Sequence, residues 1–158
     1  MREYKWQKSY KPGDTFCRFV FKSDKIKSSL IKLGCVEKKS LVLKFPTTEQ
    51  VPENLVRHFI RGYFDGDGSI TTCHGKKWNI KICGTKELLE GILLNIVGQI
   101  KCIYKEKRNE KNNYYLSISG SKDVENILNQ MYKNSSTYLE RKYQRYLAFL
   151  EYNSRLSG

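Results

Sequence analysis

The chain has 158 residues, of which 39% are hydrophobic and 13% aromatic, enough for one ordinary domain with an apolar core. Its 29 Lys and Arg residues exceed its 16 Asp and Glu residues, and the formal charge of +13 is spread along the chain. Such a charge is typical of proteins that bind a polyanion, most often nucleic acid, with a merely basic soluble protein as the alternative. No segment is apolar for the length that a membrane span requires, so we expect no membrane partner.

The cysteine and histidine content favours an intracellular protein without a zinc site. The cysteines are odd in number and form no CxxC pair, and no signal peptide precedes them. We therefore expect reduced thiols in a cytoplasmic or organellar protein that is not secreted. The two histidines, His58 and His74, do not lie at metal-ligand spacing from a cysteine. The cysteines are Cys17, Cys35, Cys73, Cys83 and Cys102.

The first fifty residues are similar in order to a later part of the chain. The stretch from Tyr4 to Gly34 parallels the stretch from Tyr104 to Tyr132, since each contains a strand, a turn, a strand and a Ser-capped helix start. Leu30 then matches Leu128. We predict that residues 1–46 are the tail of a truncated first repeat and that residues 47–158 form a complete repeat. The partial copy lacks the glycine-rich helix that opens the complete one.

That helix is predicted in the segment VPENLVRHFIRGYF, with Pro52 at the first helical position and Glu53 in the first turn. Its apolar stripe contains two glycines, which would let another helix approach closely, and its opposite side is basic. On a 100° wheel the stripe consists of Leu55, Phe59, Gly62 and Gly66, and the basic side of Arg57, His58 and Arg61.

The helix ends in DGDG, which places Asp65 and Asp67 where the helix dipole disfavours carboxylates. A bound cation would offset that cost. An EF-hand loop does not fit, because its sixth position would be Ile70 instead of glycine and its twelfth Lys76 instead of glutamate. A plain helix-end aspartate followed by a turn aspartate remains the alternative.

Two pairs of strands, each followed by a helix, are predicted after this turn. The strands lie near 69–74 and 77–83, joined around Gly75, and near 100–107 and 113–119. A helix KELLEGILLNIVGQ with Thr85 as its N-cap separates the pairs, and helices near 122–133, capped by Ser121, and 141–152 follow. The order αββαββα with a further helix predicts an α+β fold with helices on one face of an antiparallel sheet.

The other face of the predicted sheet is polar and basic. A two-stranded ribbon carrying Lys, Asn and Ser suits the DNA major groove, although an ordinary solvated sheet face shows the same alternation. We predict that DNA contacts come from this face and from Lys76 beside the first turn. The residues expected on the face are Ser69, Thr71, Cys73, Lys77, Asn79, Lys81, Lys101, Lys105, Lys107, Tyr115, Ser117 and Ser119.

The stretch IRGYFDGDG, from Ile60 to Gly68, resembles the LAGLIDADG motif of homing endonucleases. The resemblance implies αββαββα units with an antiparallel saddle-shaped sheet, pairing through the motif helix, and site-specific hydrolysis of double-stranded DNA with Mg²⁺ or another divalent cation. It assigns the metal to Asp67 with Gly66, and a supporting role at the helix end to Asp65. The family is associated with intron or intein mobility.

The resemblance also implies a basic residue late in each repeat, near the active centre. We favour Lys142 over Arg141 in the complete repeat and Lys39 over Lys38 in the partial one. These lysines would stabilise the phosphorane or order a water molecule.

One departure from the family pattern bears on activity, because cutting both strands needs two motif helices and this sequence has one. We expect either a dimer formed through the Leu55, Phe59, Gly62 and Gly66 stripe, or a fragment of an endonuclease that lacks its first half, binds DNA poorly and does not cleave. A module that binds nucleic acid without cleavage, such as an RNA-splicing maturase or a DNA-binding regulator, is the alternative function. A structural domain whose basic face is incidental is a third.

Overall fold

The computed structural model describes residues 22–35, 41–74, 77–96, 103–106 and 113–157. Its chain divides into two compact units, Met1–Cys35 and Val36–Gly158. In the first unit, helix α1 (Asp24–Lys32) begins after Ser23, whose Oγ accepts a hydrogen bond from the Ile26 N–H at 3.3 Å. None of its residues is buried. The predicted strands before it lie outside the described residues, so the truncated-repeat interpretation stays a prediction.

The second unit contains four helices and four strands among its described residues. A 3₁₀ turn (Glu53–Leu55) leads into α2 (Val56–Asp67), followed by β1 (Gly68–Cys73) and β2 (Lys77–Gly84). Then come α3 (Lys86–Ile96), β3 (Ile103–Lys105), β4 (Tyr114–Ser119), α4 (Ser121–Tyr132) and α5 (Glu140–Ser157). This order confirms the predicted α+β arrangement. Within the described ranges, no helix is long and apolar enough to cross a membrane.

Helix starts agree with the sequence prediction in one case and differ in two. Thr85 caps α3, since its Oγ1 accepts a hydrogen bond from the Leu88 N–H at 3.3 Å. Pro52 is not the first helical residue but precedes the 3₁₀ turn, which takes up the first turn predicted as α-helix. Ser121 is the first residue of α4 instead of its cap. Gly120 precedes it with φ 98°, a conformation open to glycine, and no side chain caps this helix.

The strands form one antiparallel sheet in the order β1, β2, β4, β3. Alternate residues of β1, β2 and β4 face the helices, as the period-2 pattern predicts, and exclude water from that side. The buried residues on this face are Ile70, Trp78, Ile80, Ile82, Leu116 and Ile118. Helices α3 and α4 cover them with their own buried leucines and isoleucines, each contributing about 1.5–3 kcal/mol by burial.

Within the second unit, the segment before the 3₁₀ turn packs on α3 and α2. The Thr85 hydroxyl donates a hydrogen bond to the Leu43 carbonyl, and Phe45 lies against Gly91 of α3. A Cβ at Gly91 would lie 2.2 Å from the Phe45 ring, so glycine is required for this close approach. Phe45 also meets Phe59 of α2 edge to face, with ring centroids 5.7 Å apart. These contacts fix the position of α2 and of the residues at its end.

Candidate metal site and nucleic-acid face

The two long faces of α2 have different environments. Ile60 and Phe64 are buried in the core, at 1% and 0% exposure. Gly62 and Gly66 lie on the outer side, where a Cβ added to either would meet no atom within 4 Å. Leu55 is exposed on the same side, and Phe59 is half-buried against Phe45. The predicted stripe is therefore accessible, which a paired helix would require, and the pairing itself stays a prediction.

Arg61, which the wheel places with Arg57 and His58, is buried, a feature that the wheel did not predict. Its side chain is 8% exposed, and Nη1 donates a hydrogen bond at 3.2 Å to the carbonyl of Met131, near the C-terminus of α4. A guanidinium at this position is favourable, because its positive charge interacts with the partial negative charge of that helix end. The acceptor comes from a helix seventy residues later, which a wheel of α2 alone does not show.

Asp65 binds two groups outside its own helix. Its Oδ1 accepts a hydrogen bond from the Tyr132 hydroxyl at 2.6 Å, and its Oδ2 accepts one from the Leu139 N–H at 3.0 Å. Leu139 immediately precedes α5, so the carboxylate lies at the N-terminus of that helix, where the dipole favours negative charge. The carboxylate is thus stabilised by α5 although it is disfavoured by the end of α2.

Lys142 of α5 lies at the same helix end, but it is buried. Its side chain is 3% exposed, and Nζ donates a hydrogen bond to the Phe64 carbonyl and lies 4.9 Å from the centroid of the Phe64 ring. Burial lowers the pKa of this ammonium, as does the charge of Arg141, while Asp65 and Asp67 oppose the change. The contact shown is with the last turn of α2, where a cation is favourable. A catalytic role for Lys142 remains a prediction.

Asp67 is exposed at the end of α2, next to a small cleft. The cleft has a volume of about 150 Å³, and the residues that line it are Leu43, Tyr63, Asp67, Cys83, Gly84, Thr85 and Asn113. The Tyr63 hydroxyl donates a hydrogen bond to the Cys83 carbonyl at 2.7 Å, which ties α2 to the end of β2. Burial raises the pKa of Tyr63 to about 12, with a further contribution from the Asp67 charge, so its phenol stays neutral.

The outer face of the sheet carries the polar residues that the alternation predicts. Ser69, Lys81 and Ser117 lie opposite one another across β1, β2 and β4, and Thr71, Asn79 and Ser119 form the next row. Asn79 Nδ2 donates a hydrogen bond at 2.9 Å to Ser117 Oγ, which holds two of these side chains in place. Cys73 and Lys77 form the exposed pair at the end of β1 and β2. These residues of β1, β2 and β4 share one face, as the alternation predicts, and DNA contact stays a prediction.

The register of β3 corrects the prediction for Lys105. Ile103 pairs with buried Leu116 and packs against the core, so Lys105, two residues on, also faces the helix side, opposite Tyr114. Tyr104 is the residue of β3 that lies on the polar face, opposite Tyr115. Their rings are stacked, with centroids 5.3 Å apart. The other predicted lysines Lys39, Lys76, Lys101 and Lys107 lie outside the described residues.

Comparison with known proteins identifies the family. A family model of the LAGLIDADG-like domain matches residues 54–132, from the 3₁₀ turn to the end of α4. The chain belongs to the LAGLIDADG-like family. It is also 34% identical over 102 residues, 59% of its length, to a probable translation initiation factor IF-2 of Methanocaldococcus jannaschii. The chain spans 8% of the length of that protein, so the name carries no function over to it.

Proteins of the LAGLIDADG family generally depend on a divalent metal, bind DNA and often dimerise. Among the described residues, no group of three or more His, Cys, Asp or Glu side chains could hold a metal ion. The two residues assigned to the metal, Asp67 and Gly66, are exposed at this helix end, whereas the Asp65 carboxylate is bound by Tyr132 and Leu139. Mg²⁺ uses one or two carboxylates and completes its shell with water and phosphate oxygens. The donors therefore fit a site completed from outside the chain.

Three features of this LAGLIDADG site were missed from the sequence. Tyr63 lies one helical turn before Asp67, a spacing that could have placed both on one side of α2. The position of Tyr104 on the polar face could have been predicted by assigning Ile103 to the core side, because the next residue of a strand then faces the other way. Glu106, whose carboxylate lies 3.8 Å from Lys81 Nζ, was inside the predicted strand, and the same assignment of Ile103 would have placed it on the polar face.

Proposed function

We propose that this chain supplies one of the two motif helices of a LAGLIDADG homing endonuclease. Once two motif helices are paired, the enzyme hydrolyses double-stranded DNA with Mg²⁺ or another divalent cation. The observation that carries the proposal is the contrast between the two aspartates at the end of α2. Asp65 is bound by Tyr132 and Leu139, whereas Asp67 is exposed beside the glycine stripe. A second copy or a separate first half would bring the second carboxylate.

In this proposal the chain's own residues hold the helix end in place and present one carboxylate. Asp65 anchors α2 to α4 and to the start of α5, and Lys142 in the first turn of α5 donates a hydrogen bond to the Phe64 carbonyl. Tyr63 fixes the same turn against β2. Asp67 and the Gly66 carbonyl would hold the cation, which would lower the pKa of a water molecule and offset charge at the scissile phosphate.

DNA binding is assigned to the polar face of the sheet in this proposal. The face presents hydroxyl, amide and ammonium groups in ordered rows, which match the donors and acceptors of base edges in the major groove. The formal charge of +13 supplies the attraction to phosphate. Intron or intein mobility and an intracellular location are part of the same proposal, by resemblance to the family.

A second candidate function is binding without cleavage, as in a splicing maturase or a DNA-binding regulator. It is supported by the small number of metal-binding groups, because each copy contributes one exposed carboxylate, Asp67, at the end of α2. A protein that never pairs its α2 helices would keep the polar face and lose the metal site. The two candidates differ in self-association and in cleavage, so one set of measurements separates them.

The test combines light scattering with duplex binding and cleavage. We expect a mass twice that of the chain with a duplex library and Mg²⁺, cleavage of a bound duplex, and loss of cleavage with retained binding in Asp67→Asn. Glu49→Gln, which removes an exposed charge elsewhere, is the matched control and should cleave normally. Binding should weaken with salt by a log–log slope of about 0.9 per phosphate neutralised. A strict monomer that binds without cutting would favour the second candidate, and no binding would refute both.

A further inference from the structure

A row of aromatic and cationic side chains crosses three strands on the polar face. Tyr104 of β3 stacks on Tyr115 of β4, with ring centroids 5.3 Å apart and planes inclined by 23°. Lys81 of β2 places Nζ 4.1 Å from the centroid of the Tyr115 ring, a cation–π contact. The three side chains brace one another, so the ring of Tyr104 has a fixed orientation at one end of the row.

The end of the row lies on the outermost of the described strands. In the order of those strands β3 follows β4, and Tyr104 is 44% exposed, so a large part of this residue is open to solvent. Glu106 lies 3.8 Å from Lys81 Nζ and offsets part of the charge at the other end. Attraction of nucleic acid to this row therefore depends more on ring surface than on charge.

Exposed aromatic rings on a polar, basic sheet face are suited to stacking on a nucleobase. In a duplex, each internal base is covered on both sides by its neighbours, so its flat surface is accessible only when the base is unstacked, as unpaired bases of single strands can be. We propose that Tyr104, held by Tyr115 and Lys81, stacks on an unpaired base of single-stranded DNA or RNA. This inference rests on the proposed nucleic-acid binding by the polar face and adds a second class of ligand to it.

The test measures fluorescence anisotropy with a thymidine or uridine homopolymer of about ten nucleotides, and with an abasic oligomer of the same length. We expect Tyr104→Ala to weaken binding of the homopolymers about 5- to 100-fold and to leave the abasic oligomer unaffected. Tyr104→Phe keeps the ring and should bind like the wild type. Tyr104→Leu keeps apolar bulk without the ring and should bind like the alanine variant.

Salt dependence separates stacking from charge. Lys77→Gln, on the same face, should lower the log–log salt slope by about 0.7 if that lysine neutralises one phosphate of a single strand. Tyr104→Ala should leave the slope unchanged, because no counterion is released by stacking. Urea unfolding of each variant reports whether the fold is retained.

Each outcome has a distinct meaning. Equal binding by wild type and Tyr104→Ala, or equal losses on homopolymer and abasic oligomer, would overturn the stacking inference while leaving duplex binding intact. Failure of the wild type on duplexes and single strands alike would overturn the proposed function as well. A loss seen with uridine but not thymidine, or the reverse, would support stacking and identify the natural class of strand.

Discussion

Replacement of Asp65 tests the structural assignment of the two aspartates directly. The Asp65→Ala change removes the acceptor of the Tyr132 hydroxyl, a group on a side chain with 0% exposure, and of the Leu139 N–H ahead of α5. The buried hydroxyl then has no partner, which costs about 1–3 kcal/mol, and the loss of an N-terminal capping bond costs about 0.5–2 kcal/mol. We expect the free energy of unfolding to fall by about 2–4 kcal/mol.

The matched control is Asp67→Asn, because Asp67 is exposed at the end of the same helix. Its effect on the free energy of unfolding should stay within about 0.5 kcal/mol, as for other exposed positions. In a domain of this size, about 2–4 kcal/mol corresponds to a melting temperature lower by about 4–15 °C. Urea unfolding followed by circular dichroism, with thermal melts of the same samples, gives both quantities for the two variants.

A double-mutant cycle with Tyr132→Phe isolates the hydrogen bond. The coupling between Asp65 and Tyr132 should be about 0.5–3 kcal/mol, because the second change removes the donor that the first leaves unsatisfied. The reasoning would be refuted if the Asp65→Ala variant had the same free energy of unfolding as the wild type. It would also be refuted if Asp67→Asn lowered that free energy as much as Asp65→Ala. Additive effects of Asp65→Ala and Tyr132→Phe would show that the 2.6 Å contact carries no energy of its own.

The other predictions concern the helix stripe, the packing of α3 and the alkaline range. Alanine at Gly62 or Gly66 should stabilise the isolated chain by about 0.5–1 kcal/mol, since a Cβ there meets no atom within 4 Å, and should weaken dimers. Dimers as stable as the wild type in sedimentation would exclude pairing through the stripe. Gly91→Ala should lower the free energy of unfolding in urea by about 1–3 kcal/mol, because the added Cβ would clash with the Phe45 ring. A smaller loss when Gly91→Ala is made in the Phe45→Ala variant would confirm this cause. The pKa of Tyr63 is raised by burial from 10.0 to about 12, so its contribution to stability is complete below pH 10 and is lost as the pH rises to about 12. Tyr63→Phe should show a smaller loss across that range, and an identical loss would contradict the assignment.

The fold was predictable because its strongest signals are local. Trp78, Ile80 and Ile82 alternate with polar residues, and this alternation alone determined which face of β2 packs on the helices. The same reasoning failed for Lys105, because β3 is three residues long and too short for its polar residues to define the phase. The phase is set by Ile103 packing on the core, a tertiary contact that outweighs the pattern of lysines around it.

The candidate site was predictable in its residues but not in their surroundings. The motif identified the end of α2, and the structure places Lys142 there as well. The sequence did not show that Lys142 would be buried against Phe64, nor that Arg61 would bind a carbonyl of α4. Both contacts join residues about seventy or more positions apart, and the wheel of one helix contains no information about which helix packs beside it.

The spacing of the two aspartates explains how one helix end can serve both structure and chemistry. Residues two positions apart on an α-helix point about 200° apart, so Asp65 and Asp67 leave the helix in different directions, although the charges of both act on the Lys142 ammonium. Asp65 points towards α4 and the start of α5, where a hydroxyl and an N–H bind it. Asp67 must then point away, and Gly66 between them presents a carbonyl without a side chain. A carboxylate on the exposed side of a rigidly held helix end is unfavourable for stability alone. A cation or a partner would offset that cost, which is why the proposed chemistry is assigned to Asp67 and not to Asp65.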